Sequence, residues 1–187
     1  MKDVKIVFVI CFVALLSVGC GTGERLEKLI SALDTATISL EDAIRTAQDE
    51  VPDGVVVEAE LEVEDGDPFY EVEVLVGNLV KEVSIDPVSG EVLSVEDEVE
   101  DEKVDAPCDG SISLIEAVRK GEEHGNGSAI EVELEGCEFE VQVVKGDELW
   151  EVEIGPDGDF LEKESSDEDD EDDDGDLDDE DDDEDGD

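Results

Sequence analysis

The sequence predicts an α+β fold of two tandem small α-β-β-β modules, each a helix on an antiparallel sheet, followed by a disordered acidic tail. Three observations carry that prediction. The helix start Ile38-Ser39-Leu40-Glu41-Asp42-Ala43-Ile44 returns as Ile112-Ser113-Leu114-Ile115-Glu116-Ala117-Val118. Each is followed by stretches in which Val, Ile and Leu alternate with Glu, the period of a half-buried strand. Later landmarks then recur at a constant shift of 69: Tyr70 with Phe139, Gly77 with Gly146, Val83 with Val152, Pro87 with Pro156. The helices recur at a shift of 74, so the second copy is five residues shorter between its helix and its second strand. The expected organisation is a signal peptide at 1–19, a tether or short helix at 20–37, module 1 at 38–95, an acidic linker at 96–110, module 2 at 111–163 and a tail at 164–187.

Taken in order, Met1 to Lys5 is mildly basic, and Ile6 to Val18 is almost wholly apolar. That is the length of an export-signal core and short for a membrane span. It ends in Leu15-Leu16-Ser17-Val18-Gly19-Cys20, which resembles the lipobox of bacterial lipoproteins, with Leu16 one place further out than usual. The resemblance implies acylation of Cys20 and anchoring to a bacterial membrane, the outer one where there are two, since Gly21 follows the cysteine. An ordinary signal-peptidase cut after Gly19 is the alternative. Cys11 lies inside the signal and plays no part in the fold. Glu24 to Leu33 reads mainly as a tether.

In module 1, Ser39 followed three residues later by Asp42 is a capping-box-like helix start. Leu40, Ala43, Ile44 and Ala47 make one apolar stripe, and Asp53-Gly54 closes the helix. Val55 to Glu64 alternates as a strand; Asp65-Gly66-Asp67-Pro68 turns; Tyr70 to Val76 alternates again. Gly77-Asn78 is a second turn, Val83 and Ile85 a third strand, and Asp86-Pro87-Val88-Ser89-Gly90 a third turn before Val92-Leu93. In module 2, Gly121 or Gly125 ends the helix, and strands follow at Ile130 to Leu134, Phe139 to Val143 and Trp150 to Ile154. Gly155-Pro156-Asp157-Gly158 leads to Phe160-Leu161. An exported chain meets an oxidising compartment, so a disulfide between Cys108 and Cys137 is expected, closing a loop that adds about 3 kcal/mol. Two unpaired thiols are the alternative.

The ordered set I-S-L-x-x-A-[IV], a glycine, alternating strands, Tyr70-Glu71-Val72-Glu73-Val74 and Ile85-Asp86-Pro87-Val88-Ser89-Gly90-Glu91-Val92-Leu93 is similar to the PepSY domain. The second copy resembles it with departures: Phe139 replaces the tyrosine and Gly155-Pro156 the Asp-Pro. The resemblance implies a regulatory or inhibitory binding role toward peptidases in the cell envelope. It implies no catalytic residues and no cofactor.

Charge narrows the partners. The 187 residues hold 62 Asp and Glu against 11 Lys and Arg, a formal charge of −51. Nucleic-acid binding is excluded, because phosphates demand a basic surface. A protein partner with a basic surface, or divalent cations, fits a polyanion. Glu58, Glu60, Glu62, Glu71 and Glu73 share one predicted sheet face, and Glu131, Glu133, Glu140, Glu151 and Glu153 repeat it. That carpet reads either as a docking face or as a solvated face that blocks edge-to-edge aggregation. In the tail, Asp170, Asp172, Asp174 and Asp181 resemble the ligand spacing of an EF-hand loop, a weak Ca²⁺ candidate without flanking helices. His124, the single histidine, reads as a solvated residue of a glycine-rich loop, and no catalytic set is visible. The sequence thus points to a non-enzymatic, lipid-anchored envelope protein of PepSY type that regulates a peptidase. The alternative is an acidic cation-binding or salt-adapted scaffold.

Overall fold

The computed structural model describes residues 22–98 and 106–165. The predicted signal peptide with Cys11, Cys20, residues 99–105 of the predicted linker, and the acidic tail after Ser165 with the Asp170–Asp181 candidate lie outside the described residues. Within them the order is α1 (Thr22–Thr35), α2 (Leu40–Glu50), β1 (Val55–Glu64), β2 (Asp67–Val76), β3 (Leu79–Ile85) and β4 (Val92–Glu98). Then come α3 (Leu114–Gly125), β5 (Ser128–Glu135), β6 (Glu138–Lys145), β7 (Glu148–Ile154) and β8 (Phe160–Ser165).

Local chemistry fixes the helix starts. Ser39 accepts from the Asp42 amide while the Asp42 carboxylate accepts from the Ser39 amide, a complete capping box. At α3 the Ser113 hydroxyl accepts from the Glu116 amide. The segment before each helix is pinned to a proline turn: Ile38 N donates to Pro87 O at 3.2 Å, and Ile112 N to Pro156 O at 2.9 Å. Asp86 makes the first of those turns by accepting from the amides of Val88 and Ser89, and Gly90 follows at φ 73°, a conformation few side chains tolerate.

All eight strands join in one antiparallel sheet of order β4-β3-β2-β1-β5-β6-β7-β8. The two halves meet through β1 and β5, so the order reads the same outward from either side of that joint. Both central strands carry a bulge at the same place, between Val56 and Glu58 in β1 and between Ala129 and Glu131 in β5. At each bulge two successive residues, Val56-Val57 and Ala129-Ile130, are buried before alternation resumes. Leu40, Ala43, Ile44 and Ala47 of α2 and Leu114, Ala117 and Val118 of α3 are buried in a single core with Tyr70, Val72, Val83, Phe139, Val141 and Val152. The Tyr70 hydroxyl donates to Ile38 O at 3.1 Å, satisfying the one polar atom of that ring. Phe139 needs no such partner.

The structure corrects several expectations. Each half has four strands, because the residues after the third turn form the edge strands β4 and β8. Glu96 to Glu98 belong to β4 and not to the linker, and β8 runs on to Ser165. The tether is helix α1, and its Leu29 and Ala32 join the core. His124 lies in the last turn of α3, stacked on Phe160 at 4.6 Å. α3 ends at Gly125, one of the two expected glycines, while Gly121 lies within it. A Cβ at Gly121 would meet Val141 at 2.5 Å and one at Gly125 would meet Val143 at 2.7 Å, so the glycines let the helix lie close on β6. Asn126 ends the helix in the left-handed conformation. Lys163 then donates to the freed carbonyls of His124 and Gly125 while lying 4.2 Å over the Trp150 ring. Cys108 and Cys137 are disulfide-bonded, tying the segment before α3 to the β5–β6 turn.

Candidate functional site

Strand alternation sends the predicted glutamates to the face away from α2 and α3, and the register aligns them into rows. One row crosses all eight strands without a break: Glu96, Glu82, Glu73, Glu58, Glu133, Glu140, Glu153 and Glu162. The next row reads Ser94, Ser84, Glu71, Glu60, Glu131, Gln142, Glu151 and Glu164. The strand lysines Lys81, Lys145 and Lys163 all occupy the opposite parity, with the buried valines of the helix side. Among the described residues no strand position of the glutamate face carries a cation.

Like charges one strand apart, on a partly buried surface, raise one another's proton affinity. Burial first, then the charges of Glu73 and Glu133, push Glu58 up to about 9. Glu60 rises to about 8, through burial and then Glu131, while Arg25 of α1 works against the rise. Glu140 reaches about 8 and Glu133 about 7, again led by burial. Glu71, only 9 % exposed, is raised by burial and by Glu82, and the two share a hydrogen bond in which Glu71 holds the proton. Glu140 and Glu151 share the corresponding bond in the other half. Two carboxyl pairs of the face thus share a hydrogen bond, and the face as a whole would gain from positive charge.

The opposite side carries the ion pairs. Arg119 of α3 donates through Nε and Nη2 to both Glu41 oxygens, at 2.8 and 2.6 Å, and Arg45 donates to the same carboxylate. Those two arginines hold Glu41 down at about 2. A depression beside α1 is lined by Glu24, Arg25, Lys28, Leu29 and Val63.

Sequence alternation finds most of the face glutamates. It misses Glu82, Glu96, Glu162 and Glu164, which enter the rows only through strand pairing, although Glu82 and Glu96 sit in Val/Glu-alternating stretches.

The protein is thus a helix-backed antiparallel sheet whose other face is a continuous carboxylate band. Residues 37–96, which cover α2 and β1–β3 with most of β4, match the family described as "PepSY: Peptidase propeptide and YPEB domain". Among solved structures the chain is similar to a protein from Clostridium difficile 630 named for an inferred lipoprotein character. The identity is 19 %, the match covers 70 % of this chain and 94 % of that one, and the TM-score is 0.45. No curated protein matches the chain.

Proposed function

We propose that this is a non-enzymatic, exported envelope protein, lipid-anchored through Cys20, whose sheet face binds a protein partner with a basic surface. A peptidase is the partner class, in keeping with the family that residues 37–96 match. The unbroken glutamate row over eight strands carries the reading: a face this acidic, with no cation at its own strand positions, is complementary to a positive surface and repels other acidic proteins. In the same reading, residues 111–165 are a divergent second PepSY-like unit. The support is the shared element order, the matching bulges and the matching burial of β1 and β5.

The test is a binding and inhibition titration against peptidases exported by the same cell, at low and at high salt. Saturable one-to-one binding that survives high salt and is lost in the Glu58→Lys/Glu133→Lys double variant is the expected result. Salt-sensitive adsorption without fixed stoichiometry would sink the proposal and leave the scaffold reading standing.

A further inference from the structure

The joint between the halves is built unlike any other pairing in the sheet. β1 pairs with β2 from Val55 to Glu64, and β5 with β6 from Ser128 to Glu135. β1 and β5 pair only through Glu58/Glu133, Ala59/Val132 and Glu60/Glu131. Two of those three cross-strand pairs set glutamate against glutamate, which opposes pairing. The third, Ala59 with Val132, points to the core and is fully buried on both sides. On the helix side, Arg119 of α3 clamps Glu41 of α2. A short ladder is thus held together on one surface and, when its glutamates are ionised, pushed apart on the other.

We infer that the β1–β5 joint is a hinge, which splays on the glutamate face about the Ala59/Val132 contact and closes when that face meets positive charge. The shared core and the clamp keep the halves attached while the facing carboxylates set the opening. Neutralising Glu58, Glu60, Glu131 and Glu133 therefore brings the eight strands into one continuous surface, whatever the source of the charge.

The experiment is residue-resolved amide exchange by NMR on the intact protein, at one fixed pH above 9 so that Glu58, Glu60 and Glu133 are ionised, in low salt and in about 1 M NaCl, where facing charges are screened within ~3 Å. No partner is needed, so the outcome is independent of the peptidase reading. The amides of residues 58–60 and 131–133 that bridge β1 and β5 should exchange faster in low salt by about fivefold, while those bridging β1–β2 and β5–β6 stay unchanged. The Glu58→Gln/Glu133→Gln double variant should exchange slowly at both salts. Arg119→Gln should raise exchange at the joint in low salt, and less in about 1 M NaCl where the pair, half exposed at Arg119, is already screened, without changing it in β2–β3 or β6–β7. Joint amides equally protected at both salts, or a glutamine variant that leaves the salt effect intact, would overturn the hinge.

Discussion

Glu58 faces Glu73 on one side and Glu133 on the other, so the two charges nearest it across the strands are both of its own sign. Its proton affinity is raised in the fold, to about 9, as are those of Glu60, Glu140 and Glu133. For an acid the sign follows directly. Between its unfolded value near 4.5 and its folded value, the folded state binds more protons, and stability falls as pH rises. Denaturant unfolding should therefore show a loss of about 2–3 kcal/mol from pH 5 to pH 9. Equal or greater stability at pH 9 would mean that the face is better hydrated than its geometry implies. Glu41 behaves in the opposite sense: held at about 2 by Arg119 and Arg45, it contributes stability above pH 4.5 that is lost as pH falls toward 2. Both arginines are half exposed, so the contribution is screened. Glu41→Gln should lower Tm by only about 2–4 °C at pH 7, and by nothing measurable at pH 2.

At the scale of elements, α3 depends on two glycines that its own helix propensity disfavours. Ala in place of Gly121 would gain about 1 kcal/mol of propensity, but its Cβ would sit 2.5 Å from Val141 in a packed core. The clash wins, and Gly121→Ala should destabilise by about 1–2 kcal/mol in chemical denaturation. A neutral or stabilised variant would show that α3 can lift off β6 at no cost. In α2 the comparable dependence is polar. Tyr70→Phe removes the donor to Ile38 O and should cost about 1 kcal/mol. The helix starts, the turns and the strand alternation were legible from the chain because their causes are local: a serine cap, an Asp-Pro turn, a two-residue period. Docking of α1 was not legible, since Leu29 and Ala32 are apolar in any helix and only the presence of β1 decides whether they are covered.

At the scale of the whole molecule, the halves differ in how they are secured. Only the second carries a disulfide, and the 29-residue separation it spans encloses all of α3 and β5, the strand that forms the joint. Cys108→Ser/Cys137→Ser should lower stability by ~3–4 kcal/mol in the chain-entropy account, with α3 and β5 losing amide protection before β1–β3. Uniform loss across both halves would show that the shared core makes the sheet a single cooperative unit. β4 and β8 close the sheet at its two ends with acidic strands, which discourages edge-to-edge pairing with a second copy.

By itself the sequence determined the two α+β copies, the residues of the apolar face, the acid of the other face, the likeness of residues 37–96 to the PepSY family and the candidate cysteine pair. Periodicity, capping and turn chemistry act over a few residues, so they survive reading in one dimension. Only the tertiary structure decided that the copies fuse through β1 and β5, and that eight glutamates line up in one row. It also decided that Arg119 reaches Glu41 across 78 residues of chain. Those facts depend on which strand edges meet. An exposed backbone edge carries no distinctive side-chain signal, because its hydrogen-bonding groups are the same at every residue.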